Sequence, residues 1–257
     1  MHMDIAIAFL FVLFGLLVGS FLNVVIDRLP SGQSLAYPPS HCPSCNKRLA
    51  VKDLVPVLSY ALLKGRCRYC GQPIPLRLPL VEAATAVAFG LLFAFFGLSP
   101  ELAIALFYFC LLLVIAVIDL EQQLIMNWLV YPAAPIATAF SLLAYRLDIV
   151  PDITHAAIGC AIGLVLFLLI AILSRGGMGL GDVKMAALMG IMLGYPSVLV
   201  AIFLAIVAGG IVAIVLLATR EKGRKQAIPF GPFLALGTML ALLWGNSIWG
   251  WYARGFS

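Results

Sequence analysis

Apolar residues run along this chain in long unbroken blocks, unlike the one-sided stripes of soluble helices or the alternation of strands. Eight blocks stand out: Ile5 to Ile26, Leu80 to Leu98, Leu102 to Ile118, Trp128 to Tyr145, Ile153 to Leu173, Val183 to Gly194, Val198 to Ala218 and Phe233 to Trp249. Apolar runs of roughly 17 to 25 residues cross a hydrocarbon core about 30 Å thick as helices. Nothing here alternates with the period of barrel strands. The expected fold is therefore all-α and polytopic, with about eight transmembrane helices. The sixth block is short enough to tilt or to sit inside the bundle. Met1 to Asp4 lack a basic n-region, so the first block reads as a permanent span and not as a removed leader.

Composition agrees: 63% of residues are apolar and 11% charged, with a mean hydropathy of +1.10, which excludes an ordinary soluble domain. The basic residues then set orientation. If the segment after the first block is cytoplasmic, 14 of the 16 lysines and arginines lie on that side, and only Arg146 and Arg254 do not. That asymmetry satisfies the positive-inside rule and puts both termini on the non-cytoplasmic, periplasmic face. The net charge of +5 thus reads as topology, and no nucleic-acid partner is needed to explain it. Three parts are expected: a first transmembrane helix (1–26), a cytoplasmic cysteine-rich module (27–79) and a transmembrane domain (80–257).

The module contains Cys42-Pro-Ser-Cys45 and Cys67-Arg-Tyr-Cys70, a C-x2-C-x21-C-x2-C pattern. Each x2 spacing lets two sulfurs reach one ion while backbone amides turn around them, so Cys42, Cys45, Cys67 and Cys70 form a tetrahedral zinc set. With four thiolates no coordination position stays open, so the metal is structural, and it folds a segment too small to build its own core. Paired disulfides or a redox C-x-x-C are the competing reading, disfavoured in a reducing cytoplasm. Cys110 and Cys160 stand alone in apolar runs and read as small buried hydrophobes.

Two acids lie at block edges, 63 positions apart. An ionisable group near lipid is costly unless it faces protein, water or a partner. Asp182, in Gly179-Leu-Gly-Asp182, has an ordinary explanation as a helix N-cap or first-turn acid. Asp119 follows Leu111-Leu-Leu-Val-Ile-Ala-Val-Ile118 near a helix C-terminus, where the dipole opposes negative charge and nothing local stabilises it. A helix N-terminus favours ionised Asp182, whereas burial and a C-terminus favour protonated Asp119. If the side chains meet they can share a proton, as aspartic-protease carboxylates do, with Asp182 as base toward water and Asp119 as acid toward a peptide carbonyl.

Other polar residues near the same edge have plainer roles. Ser20 and Asn23 suit hydrogen bonds between helices. Glu82 is costlier to bury and stands open between such a role and pairing with a basic residue or a substrate amine. Lys184 reads as an interfacial anchor, and the run Arg220 to Lys225 as a stop-transfer loop.

At this point the sequence resembles the type IV prepilin peptidases, bifunctional leader peptidases and N-methyltransferases of type IV pilus and type II secretion systems. The resemblance rests on Gly19-Ser-Phe-Leu-Asn-Val-Val-Ile26 with Arg28-Leu-Pro30, the paired cysteine knuckles, Pro79-Leu-Val-Glu82, Ile118-Asp119, Gly177-Met-Gly-Leu-Gly-Asp-Val-Lys184 and Ile228-Pro-Phe-Gly-Pro-Phe233. The Gly-x-Gly-Asp motif also looks like that of presenilin-type intramembrane proteases. The resemblance implies that Asp119 and Asp182 are the catalytic pair. It also implies that the substrate is a prepilin or pseudopilin leader cut at the cytoplasmic side of the bacterial inner membrane, and that the freed amine is methylated with S-adenosylmethionine. The sequence departs from the family where a Pro-Asp pair usually follows the first acid: Met126-Asn127 stands there. No strand, glycine turn and helix provide a Rossmann-type cofactor site, so the methyl-transfer site is not located by the sequence.

Two rivals remain at this level. Asp119 and Asp182 could be ion or proton sites of a transporter, although both lie at one face and not mid-span. A zinc-regulated scaffold without chemistry would leave the two acids unexplained.

Overall fold

The computed structural model describes residues 2–143, 149–174, 177–219 and 229–255. The expectations placed on Tyr145, Arg146, Arg175, Ile228 and the run Arg220 to Lys225 fall outside the described residues. Among those described there are nine α-helices: α1 (His2–Arg28), α2 (Leu58–Leu62), α3 (Arg77–Phe96), α4 (Pro100–Gln122), α5 (Asn127–Leu143), α6 (Ile153–Leu173), α7 (Leu180–Leu193), α8 (Ser197–Ala218) and α9 (Gly231–Arg254). No strand is formed among them, only two isolated bridges, His41 with Arg48 and Arg66 with Pro73.

Six helices, α1, α3, α4, α6, α8 and α9, are long and apolar enough to cross a membrane. The chain is an integral membrane protein. Of the helices matching the fourth and sixth apolar blocks, α5 has 17 residues up to the edge of the described residues, and α7 is short, with 14. At 1.5 Å per residue α7 rises only about 21 Å, against hydrocarbon about 30 Å thick. Glycines bound it at both ends: Gly179 is its N-cap, and Gly194 ends it at φ 65, a conformation glycine adopts without a Cβ penalty. Val183, Met185, Ala186, Leu188, Met189 and Met192 are all buried, so α7 is an inner helix enclosed by α5, α6 and α9.

The chain divides into two compact units, Met1–Cys110 and Leu111–Ser257. In the first, α1 packs along α3. Gly15 and Gly19 on α1 form a G-x-x-x-G step that brings the backbones together. A Cβ at Gly15 would lie 2.7 Å from Ala86 Cα, and one at Gly19 2.8 Å from Glu82 Cα. Phe11 stacks on Phe93 at 4.8 Å between centroids above this contact. The segment between the two helices starts with a turn held by Arg28, whose guanidinium donates to the Ser34 carbonyl at 2.9 Å and the Pro38 carbonyl at 2.6 Å.

In the second unit α6 and α7 meet through small residues. Gly159 and Gly190 face one another's backbone, and Gly163 faces the Ala186 carbonyl, all closely enough to leave no space for a Cβ. Gly237 on α9 sits in the same way against Ala201 on α8. Because lipid is as apolar as these helices, close backbone packing supplies the association that hydrophobic burial supplies in water.

Candidate active site and cysteine cluster

The fourth helix does not stop at Ile118. It continues to Gln122, so Asp119 lies in its last turn, where Gln123 at φ 54 ends the helix. Asp119 is 5% exposed. Nothing on its own helix offsets the unfavourable dipole there. The offset comes from a distant helix: the Gly231 backbone N–H donates to Asp119 Oδ2 at 2.8 Å. Gly231 opens α9, with Pro232 next to it. Asp119 therefore accepts at the N-terminus of another helix, where backbone amides point outward and the dipole favours negative charge. Only glycine fits, since a Cβ at 231 would lie 2.6 Å from Asp119 Oδ2.

Asp182 sits in the first turn of α7 and is half-buried. Its carboxylate is hydrogen-bonded by the Gly179 backbone, and it feels the charge of Asp119. Of the two roles expected of Asp182, it takes that of a first-turn acid, because Gly179 occupies the N-cap position, and the Asp119 carboxylate is near enough to bear on it electrostatically. Two ties hold the start of α7 to the segment after α4. Gly181 lets Ile125 approach, so that a Cβ at 181 would lie 2.9 Å from Ile125 Cβ. Lys184 Nζ donates to Asn127 Oδ1 at 2.8 Å and lies 5.4 Å from the centre of the Tyr131 ring. Lys184, expected as an interfacial anchor, anchors α7 to α5. Asn127, noted as a departure from the family pattern, is its partner. Glu121 is exposed. Buried Asp119, half-buried Asp182 and the Gly231 amide form a setting in which paired carboxylates can pass a proton to and from a bound water. Sequence reasoning missed Gly231, although Phe230-Gly-Pro-Phe233 announced it by placing glycine and proline at a helix start.

The cysteine module repeats one backbone pattern twice. The Cys42 N–H donates to Lys47 O at 3.0 Å and Asn46 N–H to Cys42 O at 2.8 Å; likewise Cys67 N–H donates to Gln72 O at 2.8 Å and Gly71 N–H to Cys67 O at 2.9 Å. Each knuckle is closed by a positive-φ residue after its second cysteine, Asn46 at 55° and Gly71 at 71°. The four sulfurs come within 4.8 Å of one another, as free thiols. Cys42 Sγ and Cys70 Sγ are 3.8 Å apart, the edge of a tetrahedron with metal–sulfur bonds of about 2.3 Å. The backbone N–H of Cys45 in first place, with that of Ser44, draws the Cys42 thiol down to about 6 against the effect of burial. The donor set suits a metal that takes thiolates. Beside it, Asp53 accepts from Arg68 at 2.6 Å, Tyr69 at 3.2 Å and the Ala50 N–H at 3.2 Å.

Asn23 Nδ2 donates to the Leu78 carbonyl at 3.0 Å, a bond from α1 to α3 of the kind expected. Glu82, 9% exposed, accepts from the Val57 N–H at 2.7 Å and is hydrogen-bonded by Ser20.

The chain matches known proteins over most of its length. Residues 13–96 match the Bacterial Peptidase A24 N-terminal domain, and residues 106–214 match the Type IV leader peptidase family. A Bacillus subtilis strain 168 protein is 34% identical over 94% of this chain and 96% of its own length. The chain belongs to the type IV leader peptidase family. That relative is named prepilin leader peptidase/N-methyltransferase. So are family members from Pseudomonas aeruginosa, 32% identical over 92% of this chain and 90% of theirs, and from Myxococcus xanthus, 40% identical over 84% and 65%. No solved structure matches the chain. The family membership does not favour the transporter alternative.

Proposed function

We propose that this protein is a prepilin leader peptidase and N-methyltransferase of the bacterial inner membrane. It cleaves the leader of type IV prepilins or type II secretion pseudopilins on the cytoplasmic side, with Asp119 and Asp182 as a water-activating pair and both termini periplasmic. What supports this is that Asp119, closed in by Gly231, lies near enough to Asp182 for its charge to bear on that acid, in a chain of this family.

One carboxylate accepts a proton from water as the oxygen attacks the scissile carbonyl, and the other donates a proton to that carbonyl oxygen. Proton transfer by a positioned group contributes about 10²- to 10⁴-fold. The Gly231 amide keeps one Asp119 oxygen fixed, so the other is the freer to face substrate. In this reading α5 and α7 complete eight passes, α7 as a short inner helix. Cys42, Cys45, Cys67 and Cys70 hold a structural zinc, which joins the two knuckles. S-adenosylmethionine supplies the methyl group for the new N-terminal amine.

The test uses the full chain in detergent with a short prepilin. Wild type is expected to release the leader, while Asp119→Asn and Asp182→Asn each lose at least about 100-fold in rate. Retained cleavage with either variant would remove that acid from the pair. Retention of one zinc per chain after Cys45→Ser and Cys67→Ser would remove the metal.

A further inference from the structure

A cavity of about 600 Å³ lies in the first unit among α1, α3 and the cysteine module, and its wall includes Ser20, Glu82, Tyr60, Ile74 and Cys42. That volume is in the range of small-molecule sites, about 300 to 1,000 Å³. The wall is mixed: Ile74, Leu54 and Pro75 supply apolar surface, Ser20, Glu82 and Gln33 supply polar groups, and the three arginines on it are engaged, Arg68 with Asp53, Arg77 with Asp27 and Arg28 with backbone carbonyls.

Glu82 is the unusual member. As a strut for the loop it needs only one acceptor oxygen, which an amide would provide. Instead a carboxylate is buried at the end of a membrane helix, where charge is expensive. The loop is also bent to meet it. Val57, whose N–H reaches Glu82, has φ 60 and ψ −47, an arrangement that is costly for a β-branched residue and gathers at functional sites. A carboxylate has about four acceptor positions. Val57 and Ser20 use two, and the rest remain for a ligand in the cavity.

We propose that this cavity is where a sulfonium methyl donor meets the amine of a peptide N-terminus, with Glu82 as the carboxylate that receives the amine. The proposal rests on the methyl-transfer part of the function above. A free N-terminal amine has a pKa of about 8 and is mostly an ammonium at neutral pH, without a lone pair for attack. Glu82 accepts one proton from it. The nitrogen lone pair then forms the N–CH3 bond as the S–CH3 bond breaks, and that electron pair returns to sulfur. The sulfonium becomes a neutral thioether, and the methylated amine carries the positive charge.

Two measurements on the full chain decide it. In the first, wild type is photolabelled with an azido analogue of S-adenosylmethionine and the labelled peptides are mapped. Label within residues 20–82 supports the cavity, and label confined to the second unit overturns it. Gln33→Trp, a bulky change on an exposed wall residue, is expected to lower that labelling at least tenfold, and unchanged labelling overturns the site. In the second, methyl transfer is followed to a synthetic peptide that already begins with a free amine, so that leader cleavage plays no part. Glu82→Gln keeps an acceptor for Val57, and it is expected to lower the rate at least about 100-fold while photolabelling persists. A rate within about threefold of wild type would overturn the role of Glu82 and not the function. No transfer by wild type would overturn methyl transfer itself.

Discussion

Gly231 and Asp119 stand 112 positions apart, and the 2.8 Å bond between the glycine N–H and the carboxylate makes the start of α9 part of the acid's surroundings. Gly231→Ala tests how much this matters. The added Cβ would lie 2.6 Å from Asp119 Oδ2 and 3.0 Å from Cγ, and overpacking of this kind costs about 1–3 kcal/mol. If the displaced group is the carboxylate, that cost falls on the reaction, at a factor of ten for each 1.4 kcal/mol or so. Cleavage of a prepilin peptide is expected to slow about 10- to 100-fold. Wild-type kcat in the variant would show that the position of Asp119 is set elsewhere.

The contact between α6 and α7 depends on bare backbone. Gly190→Ala places a methyl group against Gly159, so the helices must separate, at a cost of more than about 2 kcal/mol. Gly210→Ala on α8 is the matched control, because a Cβ there meets nothing within 4 Å. It is expected to be neutral or to stabilise by up to about 1 kcal/mol through helix propensity. Thermal unfolding of both variants in one detergent checks the contrast, and equal shifts would refute it.

The Arg68 hydrogen bond, joined by the Ala50 N–H and the Tyr69 hydroxyl, holds the Asp53 carboxyl below its ordinary range. A carboxylate whose pKa is lower folded than unfolded stabilises the fold above its unfolded value near 4, and this contribution is lost as pH falls through the folded value. Asp53→Asn should therefore make the cysteine module more susceptible to limited proteolysis at pH 7, and the difference from wild type should shrink once pH falls below the unfolded carboxyl value near 4. A difference independent of pH would assign the effect to packing.

Six membrane-length helices and the cysteine cluster were legible in the sequence because each depends on local pattern. Apolar run length marks a span, and C-x2-C fixes how two sulfurs approach one point. The N-terminal placement of Asp182 was legible for the same reason. What surrounds Asp119 was not. Its own helix argues against a charge, and the favourable amide comes from Gly231, a non-local contact that no periodicity encodes. The length of α7 was half visible: its flanking glycines are in the sequence, but its enclosure depends on Gly159 and Gly163 on another helix. Lys184 read as an interfacial anchor, and its tie to Asn127 required the fold.

Each cysteine knuckle is shaped by main-chain bonds and one positive-φ residue, with no side chain between the cysteines taking part in the turn. The two intervening positions are therefore spare, and the halves spend them differently. Pro43 and Ser44 fill the first with short groups. The second uses both for reach: Arg68 and Tyr69 extend to Asp53 in the 3-10 turn at Val51–Asp53. A metal clasp thereby doubles as a platform from which the chain between the knuckles is tethered, and those two positions can be exchanged to remodel that chain while the clasp keeps its geometry.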